Sequence, residues 1–271
     1  LEDDSYENDY TNIVSLETNL ALQQAGHDET LIVYIEGSGT LEYIAPKDGS
    51  IADNKDQMRG YAFSAWESGI KAKVEKALVK AVEKIKHGSN DEPRKNDALY
   101  IKKLTLDIFG FSRGAASARY GVHRLLQDMT SAAGVDAEDE SPVYRTETYI
   151  QKRLRTLHQL EVREVEIRFV GLFDTVTSYY GLQIVPRLPL ERWLVKLDAI
   201  QHEKVKKVVH LASAEEHRDQ FCLHNIKSAG AKGEEYFLPG VHSDVGGGYL
   251  DQGSDANLIV FQGSPRDAAR D

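Results

Sequence analysis

Cysteine is almost missing from this chain: Cys222 is the only one in 271 residues. A single thiol excludes an internal disulfide and any zinc site built on several cysteines. Between Phe221 and Leu223 it reads as a buried, inert side chain. Long apolar runs are missing too; none approaches the ~18 residues that a membrane-crossing helix needs. Positive charge is scarce. Asp and Glu number 43 against 33 Lys and Arg, a net charge of −10. That argues against a nucleic-acid partner, which calls for a basic surface. It also argues against adsorption to anionic lipid by overall charge. The opening Leu1-Glu-Asp-Asp-Ser-Tyr-Glu7 is acidic, lacks an apolar centre and does not read as a Sec signal, so the expectation is a chain made in the cytoplasm without one. Asp244 and Asp251 lie near a glycine run, but without the ligand spacing of a calcium loop. No metal and no cofactor is expected.

What is present is a soluble-type composition, 41% hydrophobic and 28% charged, with segments that alternate in character. Leu31–Glu36 reads as a buried strand, broken by Gly37-Ser-Gly39. Met58–Lys86 turns helical: Ile70, Val74, Leu78, Val82 and Ile85 recur at three- and four-residue spacing. His87–Asn96 is a polar loop, and Leu99–Phe109 a second strand. Arg113–Met129 reads as a helix, Ser131–Ser141 as a mobile acidic insertion, and Thr146–Leu160 as helical. Glu164–Phe173 is a third strand, His202–Ala214 mostly helix, and Glu234–Leu238 a fourth strand before Pro239-Gly240. Strands alternating with helices predict a mostly parallel α/β sheet with helices on both faces. One domain over 1–271 is expected, with a polar and helical insertion at 131–160.

One stretch carries chemistry. Gly110-Phe-Ser-Arg-Gly114 sits between a strand and a helix, the context of a nucleophile elbow. A Cβ at Gly110 or Gly114 is expected to clash in so sharp a turn, and Ser112 is expected at its strained apex. The helix start behind it offers backbone N–H groups to a developing oxyanion, with the Arg113 amide as one donor. The second donor is expected from a loop after an earlier strand, and Gly37 and Ser38 are the candidates present. An ordinary glycine turn is the competing account of both.

A serine nucleophile needs a base and an orienting acid. Asp174 follows Val170-Gly-Leu-Phe173, at the carboxyl end of a strand, where reacting groups of open α/β sheets lie. Asp128 and Asp198 compete but fall in stretches read as helical. Of nine histidines, His242 stands out in Pro239-Gly-Val-His-Ser-Asp-Val-Gly-Gly-Gly-Tyr249, after the last strand. His210 and His217 fall on or near a predicted helix, and His224 in a polar loop. The order Ser112, Asp174, His242 matches the hydrolase template.

Four ordered motifs carry a resemblance. Gly110–Arg119, Gly171-Leu-Phe-Asp-Thr-Val176, the Ala212–Phe221 stretch and Pro239–Tyr249 together resemble the α/β-hydrolase domain of the first family of type VI secretion lipase effectors. Asn8-Asp-Tyr-Thr-Asn-Ile13 and Tyr34-Ile-Glu-Gly-Ser-Gly-Thr40 resemble its early segments. The resemblance implies a phospholipase A-type activity on membrane glycerophospholipids, delivered as an antibacterial toxin into the periplasm of a target cell. It implies a secretion spike protein and an immunity protein as partners. It carries the catalytic roles onto Ser112, Asp174 and His242. Such domains open with a strand and a Phe-Asp-Gly-Thr-like turn that this sequence starts after, so the first strand is expected to be lacking. Tyr179–Val185 and Leu188–Val195 are apolar candidates for a lid, or ordinary core. A serine esterase or thioesterase for soluble acyl compounds, and an inactive binding module on the same fold, remain open.

Overall fold

The computed structural model describes residues 11–23, 30–37, 69–87, 100–135, 142–177, 195–218 and 221–248. Among the described residues, four parallel strands form the central sheet: β1 (Tyr100–Phe111), β4 (Glu161–Phe173), β5 (Val205–Ser213) and β6 (Gly233–Leu238), side by side in that order. A separate antiparallel ribbon pairs β2 (Asp128–Val135) with β3 (Pro142–Thr148). The helices are α1 (Asn12–Gln23), α2 (Ile70–His87), α3 (Arg113–Leu126), α4 (Tyr149–His158) and the short α5 (His242–Gly246). The mostly parallel α/β architecture expected from the sequence is what forms.

The periodic apolar residues of α2 behave as their spacing requires. Ile70, Val74, Leu78, Val82 and Ile85 are all buried. Side chains of this size contribute about 1.5–3 kcal/mol each when fully buried. Val74, Leu78, Val82 and Ile85 share one core with Ala115, Val122 and Leu125 of α3, Ile150 and Leu154 of α4, and Val165, Ile167, Val170, Leu172, Val205 and Val208 of the sheet, while Ile70 packs with Ala116, Val195 and Leu197. The small residues of α3 let it lie close to the strands. Arg124 joins α3 to α2 through Glu75 at 2.6 Å.

In the first half of β1 and β4 the alternate side chains are charged rather than apolar. Lys103 pairs with Glu166 (3.1 Å) and Glu164 (3.4 Å). Leu106 lies opposite Ile167 and Asp107 opposite Phe169, so Arg168 is an extra residue, and it pairs with Asp107. This bulge resets the alternation, so that Val170 and Leu172 face the core just before the strand ends.

Five segments differ from expectation. Thr146–Thr148, read as the start of a helix, ends β3, and α4 begins only at Tyr149. Leu31–Glu36 forms no strand; it packs beside α2, where Lys84 Nζ donates to Ile32 O at 2.6 Å. An apolar run becomes a strand only with a ladder partner, and none lies beside it among the described residues. The helix after the elbow stops at Leu126, three residues early, because Asp128 begins the ribbon. Asp128, read as helical, therefore opens β2, and Ser131–Val135, read as a mobile insertion, is strand. His202–Ala214 is not a helix: a 3-10 turn at Leu197–Gln201 carries Asp198, and β5 follows. Val205, Val208, His210 and Ala212 are buried in β5 between two parallel neighbours. The β-branched Val205, Val208 and Val209 favour the strand. The candidate lid segments and the His87–Asn96 loop, apart from Val195 and His87, lie outside the described residues.

Candidate active site

Strand register assembles the site. Phe111 of β1 lies opposite Phe173 of β4, so Ser112 and Asp174 are the next residues on adjacent strands. Phe173 lies opposite Leu211 of β5, and Ser213 opposite Leu238 of β6, just upstream of His242. Backbone bonds fasten these ends together. The Ser112 N–H donates to Phe173 O (2.9 Å), Asp174 N–H to Leu211 O (2.8 Å) and Ala214 N–H to Leu238 O (2.9 Å). All four strand ends are carboxyl ends, where ligand crevices of parallel sheets lie.

Ser112 has φ 58° and ψ −128°. A residue with a Cβ occupies that region only at a cost of about 1–3 kcal/mol, and such strain collects at functional sites. The turn holds because Ser112 O accepts from Ala115 N–H (3.0 Å) and Ala116 N–H (3.3 Å) of α3. Gly110 is required here: a Cβ would lie 2.2 Å from Gly114 O. Gly114 is not, since a Cβ there meets no atom within 4 Å. The expected clash at Gly114 is thus corrected; that residue matters through its backbone, which presses on Gly110.

Asp174 is fully buried and also left-handed, at φ 37°. Its carboxylate accepts from Ser213 N–H (3.0 Å), Ser213 Oγ (3.0 Å) and His242 Nδ1 (2.6 Å). Burial alone would raise its pKa, but the hydrogen bonds from His242 and Ser213 outweigh it and hold the group below the usual carboxylate range. An ionised Asp174 only accepts, so His242 carries a hydrogen on Nδ1, and in the neutral ring Nε2 is then the bare nitrogen.

His242 starts α5 and is almost wholly buried. Its ring lies between Phe111 and Phe221, each 4.6 Å away by ring centroids. Its N–H donates to the buried carboxylate of Glu216 (3.2 Å). Burial raises the Glu216 pKa, but bonds from Arg218 and the His242 amide bring it down to about 2. The glycine run has a packing reason: a Cβ at Gly246 would sit 2.0 Å from the Phe111 ring. From the other end of the chain, Thr11 bridges Gly247 and Asn12 Nδ2 donates to Val245 O (2.9 Å). The Ser112 hydroxyl makes no hydrogen bond among the described residues.

The remaining candidates are placed as follows. Arg113 is the first residue of α3. Gly37 is exposed at the end of its segment, and Ser38 lies outside the described residues. Asp244 caps α5 by accepting from Val241 N–H (2.7 Å), and Asp251 lies outside the described residues. His217 is exposed. Cys222 is exposed rather than buried: Phe221 turns in between Arg218 and His242, and the next residue of this irregular segment turns out. His210 is fully buried in β5, and His224 meets Thr177 Oγ1 at 3.0 Å. Sequence reasoning missed Ser213 and Glu216. A correct strand assignment for β5 would have put Ser213 at its carboxyl end.

The family model for the catalytic domain of Tle1-like phospholipase effectors of type VI secretion systems matches residues 2–262. The chain belongs to that family. No curated protein matches it. It is similar to a solved Tle1 effector bound to the VgrG spike of the type VI secretion system, with 22% identity and a TM-score of 0.47 over 92% of this chain and 42% of that one. An uncharacterised protein from Pseudomonas aeruginosa aligns with 28% identity and a TM-score of 0.35, over 67% of this chain and 24% of its own. The chain therefore spans less than half the length of these solved structures.

Proposed function

We propose that this Tle1-like domain is a serine hydrolase of carboxylic esters on an α/β-hydrolase-like fold, with Ser112 as nucleophile, His242 as base and Asp174 as its orienting acid. The observation that carries the reading is the buried 2.6 Å contact between His242 Nδ1 and Asp174, one register step from a serine in strained backbone. His242 Nε2 takes the Ser112 proton as Oγ bonds to the ester carbon. The proton then passes to the leaving alcohol as the C–O bond breaks. Water, deprotonated by the same imidazole, releases the acid and restores Ser112. The Arg113 amide is one oxyanion donor, and Gly37 and Ser38 are the candidates for the second. The Ser112–His242 bond closes when substrate fills the site, as catalytic bonds often tighten only in the complex.

Family membership supports membrane glycerophospholipids, cleaved in the manner of phospholipase A, as the substrate class. With it come delivery by a type VI spike into the periplasm of a target cell and an immunity protein in the producer. Among the described residues no helix is long and apolar enough to cross a membrane. The test is hydrolysis of phosphatidylethanolamine–phosphatidylglycerol vesicles and of p-nitrophenyl butyrate by wild type and Ser112→Ala. Fatty acid released from vesicles by wild type alone supports the lipase. Serine-dependent cleavage of the short ester alone supports a soluble esterase. A Ser112→Ala protein as active as wild type sinks both.

A further inference from the structure

A second histidine–carboxylate pair lies beneath the site, with no place in the proposed reaction. His210, in β5, is fully buried. Its Nε2 accepts from Thr175 N–H at 3.0 Å and lies 3.1 Å from Thr175 Oγ1. Its Nδ1 lies 2.7 Å from Glu235 Oε1 in β6, which also accepts from Ile226 N–H at 3.2 Å. A backbone N–H can only donate, so Nε2 must be bare and the hydrogen must sit on Nδ1, facing Glu235. Burial favours this neutral ring although Glu235 opposes it. The pair therefore cannot pass a proton to Thr175 and serves as a fixed acceptor.

What it grips is the residue after Asp174. The 174–177 turn is bonded along its length: Asp174 N–H to Leu211 O, Thr175 O from His224 N–H (2.9 Å), and Val176 N–H to Ser112 O (3.4 Å). Arg119, also fully buried, clamps the far side by donating to Leu197 O (2.8 Å), His224 O (3.0 Å) and Asn225 O (3.0 Å). Asp174 needs such restraint, because its left-handed backbone relaxes unless its neighbours are pinned.

We propose that His210 and Glu235 are positioning residues for hydrolysis: Glu235 selects the tautomer of His210, and His210 holds the Thr175 amide and thereby the carboxylate of Asp174 against His242. This rests on the triad reading above. Glu235→Leu frees the ring to carry its hydrogen on Nε2, which would face the Thr175 donor. Glu235→Gln keeps an acceptor oxygen. His210→Gln places an oxygen near the Nε2 position, and His210→Asn is too short to reach Thr175.

The test measures kcat and KM on p-nitrophenyl butyrate for these four variants, wild type and Ser112→Ala. Displacing a catalytic group by about 1 Å costs on the order of 100-fold, so Glu235→Leu should lower kcat by roughly 10- to 100-fold with KM nearly unchanged. Glu235→Gln should stay within about threefold of wild type, because its oxygen still accepts from Nδ1. A folded Glu235→Leu with wild-type kcat overturns the proposal, as does a Glu235→Gln that loses as much as Leu. If Glu235→Leu does not fold, the histidine variants decide: Gln should outpace Asn by about tenfold or more, and equal rates overturn the pair. Ser112→Ala separates the two levels. If it is dead while the pair's variants are unaffected, only the pair falls; if it is fully active, triad and pair fall together.

Discussion

Replacing Gly110 by alanine would put a Cβ 2.2 Å from Gly114 O, 2.5 Å from Gly114 C and 2.7 Å from Ala115 N. All three are backbone atoms of the first turn of α3, so no side chain can swing aside. Ordinary contacts are about 1 Å longer, and the helix start would have to retreat by that much. Ala115 and Ala116 are fully buried and bonded to Ser112 O, so the retreat loosens the core and moves the serine. Overpacking typically costs 1–3 kcal/mol, and the rigidity of this contact places Gly110→Ala at about 3 kcal/mol. Gly114→Ala is the control. Its Cβ meets nothing, and a helical Gly→Ala change gains about 0.5–1 kcal/mol. Urea unfolding should separate the two midpoints by on the order of 1 M. Hydrolysis of p-nitrophenyl butyrate should fall by roughly 100-fold in Gly110→Ala alone. Two alanines with equal midpoints, or a Gly114→Ala that is the weaker, would refute the packing argument.

Two further predictions concern the groups around His242. Ser213→Ala removes the Oγ bond to Asp174 but keeps the Ser213 N–H bond; it should cost about 1.5–3 kcal/mol of stability and lower kcat several-fold with KM unchanged, and an unaltered melting curve and rate would contradict it. Glu216 has a folded pKa of about 2, below its ordinary 4.5, so the stability it contributes is full above pH 4.5 and is lost as pH falls toward 2. By about pH 3 on the order of 1–2 kcal/mol of that contribution should be gone, and Glu216→Gln should flatten this part of the pH dependence. Urea midpoints at the two pH values decide, and parallel losses in wild type and variant would argue against it.

Local patterns were legible where one feature dominates its neighbours. The three- and four-residue spacing from Ile70 to Ile85 gave α2, and the elbow glycines flanked by apolar strand and alanine-rich helix gave Ser112 its place. Asp174 was legible as a polar residue directly after a strand, and His242 as a histidine in the glycine-rich loop that follows the last one. Mixed signals misled: the segment of β5, where lysines stand among valines, reads as a helix, and the small acidic residues near Ser131 as a mobile insertion. Leu31–Glu36 has strand composition, yet a strand is a pairing, and composition cannot supply the partner.

By itself the sequence determined the strand–turn–helix of the elbow, the amphipathic stripe of α2 and the order of the three candidate catalytic residues, because these depend on neighbours a few positions away. Only the tertiary structure decided that Ser213 grips Asp174, that Glu216 holds the His242 amide and that His210 and Glu235 hold Thr175. Those contacts join residues tens of positions apart, and their geometry is set by the register between parallel strands. Register follows from how whole strands pack their apolar faces, so no single segment encodes it.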